Sequence, residues 1–195
     1  MDTSQLPSIF GQLRPLDLVD SPAASFSERY PLDYLRLVMQ PQVGRYWCWA
    51  ATAASVATFL RNNTWTPCKV ASECLVMSCC TGYAPSPVCD RPYALDAALS
   101  KVGCLYGPPI GGPISFDSVA SEIGQRKRPV CCHITWRSAS HGAAGHFATL
   151  VGFNPGTLDV VVRDPLFTGD QIIPYSKFKS AYQGDGVWDY TYLTS

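Results

Sequence analysis

From residue 48 to residue 60 (CWAATAASVATFL) the chain carries no charged side chain, and five of these positions are alanine. Trp49, Val56 and Leu60 fall on one face at helical spacing, and the polar run Arg61-Asn-Asn63 closes the segment. A helix with so little polar surface has to be covered on most of its sides. Such a helix belongs at the centre of a fold. It is shorter than a bilayer crossing and holds Thr52, Ser55 and Thr58, so no membrane span is expected.

The remaining patterns arrange themselves around this helix. Residues 1–30 are rich in Pro, Ser and Asp without apolar periodicity, and they read as a flexible arm before a domain of 31–195. Shorter helices are predicted at about 70–78, 94–102 and 116–125, the last with Ser115 as N-cap. The Gly107-Pro-Pro-Ile-Gly-Gly-Pro113 segment reads as a loop unable to sustain helix or ladder, and it separates a helical lobe (about 31–113) from a β lobe (about 114–195). After Pro129, β-rich runs at 130–136, 146–153, 158–163, 171–173 and 187–193 predict an antiparallel sheet, interrupted by a helix at 175–182. The predicted architecture is α+β, helices first and strands afterwards.

Acidic and basic residues balance at 15 each, which leaves no basic stripe for a phosphate backbone, so nucleic acid is not an expected partner. The first thirty residues show no basic start followed by an apolar core, and a cleavable secretory signal is not expected. Nine cysteines are many for a reducing compartment. Six of them (Cys68, Cys74, Cys79, Cys80, Cys89, Cys104) cluster and suit up to three disulfides better than zinc, because two clean Cys-x-x-Cys knuckles are missing. Cys131 and Cys132 would project to opposite faces of their strand. Secretion without a cleavable signal is the favoured destination and the cytoplasm the alternative; a monomer without cofactor or metal is expected.

Cys48 stands where a loop runs into the apolar helix, so its sulfur meets the free N–H groups and dipoles of a helix N-terminus, which favour a thiolate. His146 opens the apolar strand Gly145-His-Phe-Ala-Thr-Leu-Val, where a titratable side chain suits a general base or a buried structural histidine. Asp164 ends the following strand, eighteen residues later, across the Asn154-Pro-Gly156 turn, and a carboxylate there can fix the histidine's tautomer. Gln42, six positions before Cys48, offers an amide N–H to an oxyanion, with Gln40 as a competitor. Trp47, Trp49 and Gly145 flank these residues and are expected to wall a substrate cleft. His133 and His141 are alternative bases, expected to be structural or exposed.

This order of Gln42, Cys48-Trp-Ala50, Gly145-His-Phe147 and a later acidic residue resembles the papain superfamily of cysteine proteases. The nearer likeness is to papain-like proteases delivered as type III effectors by plant-associated bacteria, and to their bacterial relatives. It is carried by Trp47-Cys-Trp-Ala-Ala51, the Cys79-Cys80 to Cys89 segment, Val161-Val-Arg-Asp-Pro165 and Gly186-Val-Trp-Asp-Tyr-Thr-Tyr192, over about residues 30–195. The resemblance implies a papain-like fold, a protein or peptide substrate and a Cys48-His146-Asp164 triad with Gln42 as oxyanion donor. The same residues would serve a cysteine-dependent acyl transferase, a deamidase or a leader peptidase. A catalytically silent cysteine-rich binding module is the non-enzymatic alternative.

Overall fold

In the computed structural model the described residues are 33–61, 64–82, 84–138 and 145–195. The expected arm and His141 lie outside them. Strand β1 (Asp33–Tyr34) leads through an extended segment into helix α1 (Cys48–Arg61). Every residue of α1 from Cys48 to Ala57 is buried, as its alanine-rich, uncharged sequence requires. Of the two hydroxyls this burial traps, Ser55 donates to the Ala51 carbonyl and accepts the Gln40 N–H, while Thr52 Oγ1 finds no partner.

Helix α2 (Pro67–Leu75) begins earlier than predicted because Thr66 caps it, accepting the Lys69 N–H, with Pro67 in the first turn where its missing donor costs nothing. Val76 in a left-handed conformation (φ 53°) ends it, ahead of the predicted boundary. Two short strands, β2 (Cys80–Thr81) and β3 (Ala84–Pro85), form a separate ribbon, and α3 (Leu95–Lys101) follows.

The Gly107–Pro113 segment corrects one expectation. Its Ile110–Gly111 pair forms strand β4, which pairs with Tyr190 and Thr191. Gly107 and Gly112 take positive φ on either side, so the chain turns sharply into and out of a two-residue ladder that the flanking prolines do not have to join. Beyond it, Ser115 caps α4 (Phe116–Ala120) as predicted, but the turn then widens into a π-helical segment, Ser121–Gln125. There Gly124 lies so close to Asp33 and Phe153 that a Cβ would meet them at 2.9 and 3.3 Å.

The second half builds β5 (Val130–Trp136), β6 (His146–Asn154), β7 (Asp159–Arg163), β8 (Gln171–Pro174), helix α5 (Tyr175–Ala181) and β9 (Gly186–Tyr192). The main sheet runs β4-β9-β5-β6-β7-β8, antiparallel throughout, and β1 joins β6 at Gly152 and Phe153. Cys131 and Cys132 are both fully buried on β5, which therefore is covered on both faces. Helix α1 packs against β6, the strand buried along nearly its whole length. The fold is α+β, and this one contact brings the start of the helix to the start of the strand.

Candidate active site

The loop before α1 is held from the helical side. Asp90 accepts the Arg45 and Tyr46 backbone N–H groups at 3.1 and 2.8 Å, and it packs so closely on Gly44 that a Cβ there would sit 2.8 Å from its carboxylate. Trp47 Nε1 donates to the Cys89 carbonyl (2.8 Å) and Trp49 Nε1 to the Arg91 carbonyl (3.1 Å). The 89–91 segment is itself anchored by a Cys79–Cys89 disulfide, and the neighbouring Cys80 is bridged to Cys68 on α2. Thus two of the predicted cluster's bridges form, Cys74 and Cys104 stay free, and one of the bridges fixes the wall against which the Cys48 loop rests.

From the sheet side, His146 is the first residue of β6. Its Nε2 donates to Asp164 Oδ2 at 2.8 Å, and Cys48, on the same cleft, lies close enough to bear on the ring. Burial opposes protonation of His146 and is the largest single influence. The hydrogen bonds to Asp164 and Cys48, with the charges of both, together outweigh it and raise the imidazole to about 9. Asp164, buried, also accepts the Leu166 N–H on Oδ1 (2.7 Å) and the Tyr182 hydroxyl on Oδ2 (2.6 Å). The Trp136 ring stacks near His146 and Tyr182, with centroids at 6.2 and 6.4 Å, and covers the histidine-carboxylate bond.

These groups face a cleft of ≈ 750 Å³ between the helical half and the sheet, lined among others by Gln42, Cys48, Trp49, Gly145 and His146. Gln40 lies elsewhere, its side chain on the Trp65 carbonyl. Gln42 is in the cleft and its backbone N–H reaches the Pro165 carbonyl, tying its loop to the residue after Asp164. Its Nε2 donates to the Gly44 and Arg45 carbonyls, while its Oε1 is buried without a hydrogen-bond partner. Trp49 lines the wall against Tyr93. Trp47 corrects an expectation: fully buried, with its indole N–H spent on Cys89, it packs behind the cleft rather than in it.

Gly145 is there for space. A Cβ on it would lie 2.0 Å from His133 Nε2. Gly145→Ala is therefore expected to push the His133 ring aside and disturb the start of β6, lowering kcat/KM about 10- to 100-fold at a stability cost of about 1–3 kcal/mol. Steady-state rates on a peptide and a thermal melt check both.

His133 lines the cleft and bonds Asp189. Tyr182, Trp136 and Asp90 escaped sequence reasoning altogether. Only contacts between distant segments single them out, and no local spacing marks them. Among the described residues, no group of three or more His, Cys, Asp or Glu is placed to hold a metal ion, and no helix is long and apolar enough to cross a membrane.

An alanine-rich buried helix packed on an antiparallel sheet, with a cysteine and a histidine meeting at their starts, is the architecture of the papain-like cysteine peptidases. The chain belongs to one such family, the Peptidase_C39 like family, whose sequence profile matches residues 33–192. A comparison with curated proteins finds no match. Membership implies a peptide or protein substrate and the hydrolase chemistry of cysteine peptidases.

Proposed function

We propose that this chain is a cysteine endopeptidase in which Cys48 is the nucleophile, His146 the proton carrier and Asp164 the group that orients it. The observation that carries the reading is His146, bonded to a buried Asp164 and close to Cys48, with both Cys48 and His146 lining one cleft.

In this mechanism the Cys48 sulfur attacks the scissile carbonyl and the carbonyl π electrons move onto oxygen. The Cys48 backbone N–H, at the head of α1, donates to that oxyanion. Gln42 joins it by giving up the Gly44 or Arg45 carbonyl for the stronger, charged acceptor. Collapse of the intermediate breaks the C–N bond as His146 hands its proton to the leaving amine. Water then attacks the thioester, His146 takes its proton, and Cys48 is released. Throughout, Asp164 keeps Nε2 protonated and the other ring nitrogen directed at sulfur.

The two disulfides favour an oxidising compartment, so we place the working enzyme outside the reducing cytosol. The motifs shared with secreted effector proteases support host proteins as the substrate class.

Mixing the purified protein with unstructured peptides and reading the products by mass spectrometry tests the reading. Hydrolysis gives two fragments whose masses sum to substrate plus water, whereas deamidation leaves one peptide slightly heavier. The pH profile adds a signature. Because His146 must carry a proton to the leaving amine and is raised to about 9, kcat/KM should hold through neutral pH and fall as pH rises through about 9. An alkaline limb already complete near pH 7 would speak against this role.

A further inference from the structure

Beside the Cys48–His146 pair, His133 lines the cleft and anchors a second polar cluster that the proposed chemistry does not use. His133 on β5 lies in register with Phe147, and its ring rests against Gly145, the residue preceding His146. His133 Nδ1 bonds Asp189 Oδ1 at 2.6 Å, and Thr135 Oγ1 donates to Asp189 Oδ2, also at 2.6 Å. Asp189 comes from β9, the strand next to β5. The side chains of His133 and Asp189 remain 23% and 33% exposed, so the cluster is open to an incoming group.

Its hydrogen-bond inventory is one-sided. A carboxylate only accepts, so His133 Nδ1 gives its proton to Asp189, and the Thr135 hydroxyl has one proton to give. Both protons are directed at Asp189. What Asp189 and Thr135 keep for a ligand is acceptor capacity alone, the free lone pairs of the carboxylate and of the hydroxyl. Among the described residues, the only ion-pair partner of Asp189 is this imidazole, and no Lys or Arg neutralises it. The exposed cations of the cleft, Arg45 and Arg91, belong to the helical half.

We propose that the His133–Asp189–Thr135 cluster is a specificity subsite that receives a basic side chain, lysine or arginine, of the substrate close to the scissile bond. The inference rests on the peptidase reading. His133 Nε2 touches the residue adjoining the catalytic histidine, so a peptide lying along the cleft brings a side chain within three positions of the cut to this cluster. A cation supplies the donors and the charge the cluster lacks, whereas a carboxylate there meets only acceptors and like charge.

The test uses the full chain and peptides made by glutamate-specific digestion of a denatured proteome, which leaves lysine and arginine internal. Cleavage products identified by mass spectrometry should show Lys or Arg enriched at one fixed position within three residues of the cut. Resynthesising the best-cleaved peptide with methionine at that position should lower kcat/KM about tenfold or more on the unaltered enzyme, so this arm needs no variant. Asp189→Asn and His133→Phe should each shrink the ratio of basic-peptide to methionine-peptide cleavage to about twofold or less.

Cleavage with no basic preference, or a preference that survives both substitutions, overturns the subsite while leaving the peptidase reading standing. Absence of any cleavage, together with a Cys48 that iodoacetamide does not label, overturns the peptidase reading and the subsite with it.

Discussion

Cys48→Ala is expected to lower peptide hydrolysis by about 10⁴-fold or more, because it removes the bond-forming atom itself. The fold should survive. The lost sulfur is small, and the packing of α1 rests on the alanine face and on the indoles of Trp47 and Trp49, which the substitution leaves in place. The expected stability change is within about 1 kcal/mol, readable in a thermal melt. The substitution has a second consequence at His146. The hydrogen bond and the charge of Cys48 both help raise that imidazole, so in the variant His146 should titrate lower than about 9. Proton NMR of the ring reads this without any substrate. Cys48→Ser should be nearly as inactive, since a hydroxyl holds its proton far more tightly than a thiol.

Asp164→Ala has the next largest expected effect, and it acts on stability and rate together. It leaves three donors facing a void: His146 Nε2, the Tyr182 hydroxyl and the Leu166 N–H. Stranding a buried hydrogen-bond network of this kind costs about 3–5 kcal/mol, and the loss of the anion frees the imidazole to rotate and to take the other tautomer. We expect kcat/KM to fall about 10²–10⁴-fold, with the alkaline limb moved below pH 9 because the carboxylate no longer supports the imidazolium. Asp164→Asn should be milder. Its carbonyl can still accept from His146 and Tyr182, but its amide N–H₂ then has to face the Leu166 N–H. Unfolding by denaturant and rates on one peptide separate the two components.

How much of this was legible in the sequence follows from which signals are local. Helix α1 and strands β5 to β9 could be placed to within a residue or so, since each is a long run of one period. The Ser115 cap and the Asn154-Pro-Gly156 turn were equally plain, the latter closed by Asn154 Oδ1 accepting the Gly156 N–H at 2.9 Å. Cys48, His146 and Asp164 could be named together because the first two begin such elements and the third directly follows one. What escaped depends on packing between distant segments. Strand β4 exists only because β9 supplies a partner to Ile110 and Gly111, overriding the local reading of a Gly- and Pro-rich loop. The π segment at Ser121–Gln125 lies against β1 and β6, which no helical period records. Trp47 reads the same as Trp49 in sequence, and only the Cys89 carbonyl behind it sends it into the core. Tyr182 has no local mark at all, and Asp189 stands in a quoted motif without a role: each acquires meaning from the side chain it bonds.

The five free thiols offer the most direct test of the account. Burial raises four of them, Cys74, Cys104, Cys131 and Cys132, with Cys131 pushed up to about 12, so at neutral pH they are poor nucleophiles. Cys48 opens on the cleft beside His146. The measurement is intact-mass and peptide-mapping analysis of the folded, non-reduced protein during brief treatment with iodoacetamide, with hydrolysis followed in the same samples. The account predicts a single adduct on Cys48, activity falling in step with it, and much slower labelling in His146→Ala. First labelling at another cysteine, or hydrolysis that persists with Cys48 fully alkylated, would contradict it.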